Sequence, residues 1–277
     1  QAVLWAATDV DPKNENPELT TSEPYVMGSR ATGSGAWCSG PEDVSPPEYF
    51  WGYNRMMSVE GLFGAGDAVG GTPHAFSSGS FTEGRIAAKS ACQYIDDGKA
   101  EGIKVSEATL AKLKEEVFRP MEHYKIHRND IVAGEVNPNY HNPRQELDRL
   151  QKLMDEYCGG VTVNYMTNDK LLSIGLKKLK IMEEDLEKIA AKDLHELLRA
   201  WEVKHRHRTS ESVMQHTLFR KETRWPGYYY RGDALKLDDE NWHVLTLSRR
   251  DPETGKYTME KAPLYHLHDE NEAAAAE

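Results

Sequence analysis

Between Val59 and Ala91 the chain reads VEGLFGAGDAVGGTPHAFSSGSFTEGRIAAKSA, with five glycines in its first thirteen residues. Asp67 stands among those glycines, and a lone imidazole, His74, follows seven residues later. A carboxylate so placed can accept hydrogen bonds from sugar hydroxyls. An imidazole can bind an anionic oxygen or exchange a proton near neutral pH. Gly64, Gly66, Gly70 and Gly71 remove side chains that would hold a bulky ligand away from the backbone. The serines then open an Ala-rich helical pattern, and a helix opening near Ser80 offers free N–H groups and positive dipole density to an anion.

From the residues alone the segment is either a ligand-contacting turn or a tight structural one. GAGDAVG is not the G-x-G-x-x-G dinucleotide fingerprint, because its second gap is one residue too long. No acid follows about 20 residues on in a second strand, as that fingerprint requires. His74 read by itself is more often a satisfied structural histidine than a catalyst.

The elements that must position these groups form a strand–turn–helix unit, the way an α/β protein brings backbone close to a cofactor. VEGLFGAGDA reads as a short buried strand ending in a glycine turn. SSGSFTEGRIAAKSACQYIDDGK reads as a helix with Phe81, Ile86, Ala87, Ala91 and Ile95 at helical spacing, stopped by Gly98. Residues 1–57, rich in Pro, Gly, Ser and Asn, read as loops and short strands that continue something begun upstream. Downstream the chain turns helical. Ser106 caps a helix to about Ile126, and Asn142–Pro143 with Gln145 forms a capping box for a helix stopped by Gly159–Gly160. A third helix runs from about Asp169 to Ala190, with Leu172, Leu176, Leu179, Met182, Leu186 and Ile189 on one face. A fourth begins near Asp193, with Leu194, Leu197, Leu198 and Trp201 apolar. These make a helical bundle. A terminal hairpin and an acidic tail, HDENEAAAAE, follow.

A net charge of −11 over 277 residues argues against a nucleic-acid partner. The one basic cluster, Lys204 to Arg208, reads as a solvated helix end or a local anion contact. No apolar run is long enough to span a membrane. The three cysteines, Cys38, Cys92 and Cys158, are too few and too scattered to ligate an iron–sulfur cluster. They read as small buried hydrophobes in a reducing, cytoplasmic setting.

The glycine segment, taken as GLFGAGDAVGGTPHAFSSGSFTEGR, resembles the C-terminal flavin-binding segment of the fumarate reductase/succinate dehydrogenase flavoprotein superfamily. RKETRWPGYYYRGDALKLDDENWHVLTL is similar to that superfamily's C-terminal signature, E-x-R-x-x-G-x-x-x-R-x-D followed by D-x-N-W. Dicarboxylate-reducing members carry H-G-A-N-R-L-G in the loop, whose Arg grips a substrate carboxylate. This chain has His74-Ala75-Phe76-Ser77-Ser78-Gly79 there, without the Arg. PELTTSEPYVMGSRATGSGAWCSGPEDV, TPHAFSSGSFTEGR and NPNYHNPRQELDRLQKLMDEYCGG resemble instead the family of dissimilatory adenylylsulfate reductase alpha subunits.

That resemblance implies the reversible conversion of adenylylsulfate (APS) to AMP and sulfite on FAD. It implies that Gly66, Asp67, Ser78, Gly79, Ser80 and Phe81 bind the cofactor, with Asp67 holding the ribitol and the amides near Ser80 and Phe81 facing the flavin ring. It places His74 at the substrate face as the catalytic residue. It implies a partner, an iron–sulfur beta subunit, that carries the clusters this chain lacks. The expected fold is α/β plus α: the end of a capping domain (1–57), the second half of a Rossmann-like FAD-binding domain (58–160), and a C-terminal helical domain with hairpin and tail (161–277). The superfamily's N-terminal G-x-G-x-x-G is not in this sequence, so the expectation is the C-terminal part of a longer subunit. A dicarboxylate-type flavoprotein and a non-catalytic helical interaction module are the rival readings.

Overall fold

A computed structural model describes residues 11, 14, 34–70, 77–102, 104–130, 139–224 and 229–264. The expected strand at Val59 is not formed. Met56 and Phe63 make one isolated antiparallel bridge, and Met57 N–H donates to the Leu62 carbonyl at 2.8 Å. The chain therefore reverses within a few residues, too soon for a strand, and leaves Val59 and Leu62 exposed. A short 3₁₀ helix, Gly66–Ala68, follows. It is backed by the segment at 35–36: Ala36 N–H donates to the Ala68 carbonyl at 2.8 Å, and Gly70 N–H to the Ala36 carbonyl at 3.1 Å. A Cβ on Gly35 would lie 2.6 Å from the Gly70 nitrogen, so glycine there permits backbone-on-backbone packing.

Helix α1, Ser77–Asp96, matches the expected helix, and the chain turns at Gly98. Its buried face differs from the apolar stripe. Gly79, Glu83, Ala87, Ser90 and Tyr94 are buried, whereas Phe81 is 79% exposed and Ile95 59%. Specific contacts set that face: Tyr94 packs edge-on against Tyr53 and Phe63, with ring centroids 5.3 and 6.0 Å away, and Glu83 meets Arg55. Cys92, expected inside, is exposed on the opposite side.

Helix α2, Glu107–His127, opens on Ser106, whose Oγ accepts from Thr109 N–H at 3.0 Å. Pro120 lies inside it and lacks the N–H that would bond one turn back. Near that break the Trp201 indole donates to the Val117 carbonyl at 3.0 Å, tying α2 to the bundle. Helix α3, Pro143–Tyr157, carries the reciprocal capping box between Asn142 and Gln145. Helix α4, Asp169–Leu186, ends short of the expected Ala190. The following residues are drawn into a parallel bridge between His141 and Ile189, where Ala190 N–H donates to the His141 carbonyl at 2.9 Å.

Helix α5, Leu194–Phe219, is capped by Asp193 and packs on α3 and α4. Leu150, Leu153, Leu172, Leu179, Met182, Leu186, Ile189, Val203 and Met214 form their common core. Leu194 and Leu198, expected within the apolar set, are exposed. The basic cluster at 204–208 sits in the middle of α5, not at a helix end. His207 is buried with Nε2 2.8 Å from the Leu179 carbonyl, and Arg208 bridges Glu183 and Glu211 at 2.9 and 2.6 Å. These charges lock α5 onto α4.

Strands β1 (Met166–Thr167) and β2 (Tyr230–Arg231) pair in parallel, and a one-turn helix α6, Asp239–Trp242, leads into the terminal hairpin. The hairpin pairs β3, Val244–Arg250, with β4, Tyr257–Pro263. It docks on α5 through His216, whose ring nitrogens lie 3.0 and 2.9 Å from the Thr246 and Ser248 hydroxyls. The acidic tail lies outside the described residues.

Candidate functional site

Asp67 sits in the Gly66–Ala68 turn with its carboxylate exposed, and it makes no ion pair among the described residues. Gly66 supplies the bend: its φ is +66°, and a Cβ there would lie 3.2 Å from Ser80 Oγ. The turn thus packs against the opening of α1, with Gly66 and Gly79 both buried at the contact. An exposed carboxylate and a helix N-terminus are brought side by side. That pairing fits a ligand carrying hydroxyl groups on one part and an anionic edge on another.

The described part of α1 runs from Ser77, with Ser80 close to its opening. An α-helix leaves the N–H groups of its first turn unpaired, and they gather at the opening of α1. Ser80 and Phe81 lie close behind that opening, and Phe81 is exposed. Expected site residues Gly66, Asp67, Gly79 and Ser80 are therefore brought together, and Ser78 contributes its backbone. His74 lies outside the described residues, as do Gly71–Phe76.

The C-terminal motif residues have a different use. Arg231, 2% exposed, spends its guanidinium on the carbonyls of Thr217 and Arg220 and on the carboxylates of Asp169 and Asp233. Glu222, also buried, accepts from Arg220 at 2.5 Å, from Arg224 at 2.7 and 2.8 Å, and from the Asp238 N–H at 3.0 Å. Burial works against ionisation of Asp233, yet the Arg231 guanidinium and the Asp169 N–H outweigh it and hold the carboxyl at about 2. Trp242 closes the network with Lys261 Nζ 3.6 Å from its ring centroid. Within the described residues this motif knits the ends of α5, β2 and α6 to the start of α4.

This C-terminal region carries a recognisable family pattern. Residues 147–270 match the model of the fumarate reductase flavoprotein C-terminal family. They belong to it. Over 96% of its length the chain is 42% identical to adenylylsulfate reductase subunit alpha of Megalodesulfovibrio gigas, spanning 41% of that protein. A solved adenylylsulfate reductase from the hyperthermophilic Archaeoglobus fulgidus superposes with a TM-score of 0.82 and 48% identity, over 96% of this chain and 42% of that one. A structure of adenosine-5-phosphosulfate reductase in complex with sulfite, as a covalent adduct, matches equally well. E. coli quinol fumarate reductase shares the fold, with a TM-score of 0.54 and 21% identity over 76% of this chain. The chain spans about two fifths of the length of the adenylylsulfate reductase subunits it matches.

Sequence reading missed the ion pair of Arg55 and Glu83 behind the opening of α1. A signal was there to be used. Glu83 is the charged member of the series Gly79, Glu83, Ala87, Ser90, Tyr94, which otherwise lines one helical face. Burial pushes the Cys158 thiol up to about 11, where a thiolate is scarce at neutral pH. No helix among the described residues is long and apolar enough to cross a membrane.

Proposed function

We propose that this chain supplies the C-terminal part of the flavin-binding subunit of an adenylylsulfate reductase, which interconverts APS with AMP and sulfite. The observation that carries the reading is 42–48% identity to such subunits across 96% of the chain. The domain division follows the same reading: the end of a capping domain at 1–57, half of a Rossmann-like FAD domain at 58–160, and a helical domain at 161–277. FAD supplies the two-electron chemistry. Asp67 accepts hydrogen bonds from the ribitol hydroxyls, and its exposure beside the α1 opening supports that role. Gly66 and Gly79 keep the approach free of side chains. The amides at the opening of α1, near Ser80 and Phe81, carry partial positive charge toward the anionic edge of the flavin ring.

His74 binds the sulfo or phosphate oxygens of the substrate, or holds a proton for them at its imidazole. The lack of an Arg in His74–Gly79 disfavours a dicarboxylate substrate. Electrons reach the flavin from an iron–sulfur beta subunit, and the setting is cytoplasmic. The test is expression of the full-length chain with that subunit, followed by release and identification of the flavin. His74→Ala should retain FAD and lose turnover by about 10²-fold, the size expected of a positioned acid–base or oxyanion group. Unchanged turnover removes His74 from the mechanism, and a preparation without flavin removes the reading itself.

A further inference from the structure

Behind the opening of α1 lies a buried pair of charges that the site chemistry does not use. Arg55 has a φ of +66°, left-handed backbone that a residue with a side chain seldom adopts. It is held there from both sides: its N–H donates to the Ser39 carbonyl at 2.7 Å, and its own carbonyl accepts from Gly64 N–H at 2.9 Å. Gly64 leads directly into the Asp67 turn. From this clamped position the guanidinium reaches α1, where Nη2 donates to Glu83 Oε1 at 2.9 Å and Nε faces Oε2. The two side chains are only 20% and 9% exposed. The neighbouring Cys38 thiol is pushed up by burial, against a partial pull from Arg55, and so brings no charge at neutral pH. Among the described residues Glu83 is the one carboxylate paired with Arg55.

Glu83 lies six residues beyond Ser77, about 9 Å along the helix axis from its free amides. It shares the buried face with Gly79, the neighbour of Ser80, which packs against Gly66 of the Asp67 turn. The pair therefore joins the two halves of the candidate site from beneath. In a poorly solvated setting, a single unbalanced charge at that distance is felt at the helix end. From this geometry we infer that Arg55 and Glu83 are positioning residues for the proposed flavin site: they fix the α1 opening against the Asp67 turn, and they cancel each other's charge beneath the cofactor. The inference rests on the reading of α1 as the helix that meets the flavin.

The experiment is a potentiometric titration of the flavin in the full-length chain with its cluster-bearing partner. It compares wild type with Glu83→Gln, Arg55→Gln and the double variant. Reduction adds negative charge to the flavin. Glu83→Gln, which leaves the guanidinium unbalanced, should raise the midpoint potential. Arg55→Gln, which leaves the carboxylate unbalanced, should lower it, and the double variant should return toward wild type. A merely structural role loosens the same contact in both single variants and moves both potentials in one direction. That result, or no shift in either, overturns the inference. Should a single variant not fold, Arg55→Lys keeps the charge and should hold the wild-type potential, and a shift there overturns the inference equally. A wild-type protein without flavin overturns the functional reading as well. A flavin-bearing wild type insensitive to these charges overturns this inference alone.

Discussion

Replacing Arg231 by methionine removes the centre of the C-terminal charge network and keeps a side chain of similar length. The guanidinium serves the carbonyls of Thr217 and Arg220 and the carboxylates of Asp169 and Asp233 from a position 2% exposed to solvent. The two carboxylates can turn to water, since their side chains are 51% and 34% exposed, so most of the cost falls on the carbonyls. Leaving a buried acceptor unpaired costs about 1–3 kcal/mol each, and breaking a buried ion pair by deleting one partner costs about 3–5 kcal/mol. The expected loss is therefore about 3–5 kcal/mol, the middle of the range for two buried carbonyls left unpaired at about 1–3 kcal/mol each. With a urea m-value of about 2 kcal/mol/M, the unfolding midpoint should fall by about 1.5–2.5 M. Arg231→Lys should recover less than half of that loss, because one ammonium cannot match a planar fork that reaches four acceptors. A methionine variant whose midpoint stays within about 0.5 M of wild type, at an unchanged m-value, would refute the structural role assigned to this motif.

Gly66→Ala forces a side chain into left-handed backbone 3.2 Å from Ser80 Oγ. It should cost about 1–2 kcal/mol and weaken flavin retention in the full-length protein, read by unfolding and by flavin content after gel filtration. Burial holds the imidazoles of His207 and His216 below their ordinary value of 6.5. Their folded pKa values are depressed, so as pH falls below about 6.5 the unfolded chain takes up protons that the native one refuses. Stability should decline through that window, and a His216→Gln variant should show a shallower decline than wild type in urea midpoints measured from pH 7.5 to 5. Asn142→Ala removes the capping acceptor for Gln145 N–H and should lower stability by about 1 kcal/mol, seen as a lower urea midpoint.

Much of the helical region was legible because its signals are local. Ser106, Asn142 and Asp193 cap the helices they announce, and the stripe from Leu172 to Ile189 is the stripe that enters the core. The glycine segment was harder. A hydrophobic run before a glycine turn looks like a strand, but strand formation depends on a partner distant in sequence, and here the chain folds back through Met56 and Phe63. The buried face of α1 was misjudged for a related reason. Its sides are chosen by Tyr53, Phe63 and Arg55, and none of them announces its contact from α1's own spacing. The motif Glu222–Asp233 was visible as a pattern, while its use as an ion network depended on Asp169, more than fifty residues upstream. Asp67 and the helix opening were found by chemistry and fall side by side.

The central claim is that this chain belongs to a flavoprotein that acts on adenylylsulfate. Its most direct test is turnover of the full-length chain, co-purified with the proposed iron–sulfur subunit, given AMP plus sulfite and a one-electron acceptor, with fumarate and a reduced dye offered in a parallel assay. The account predicts acceptor reduction that requires both AMP and sulfite, with APS as the product and no reduction of fumarate. Fumarate reduction, or acceptor reduction that proceeds equally well without AMP, would contradict it.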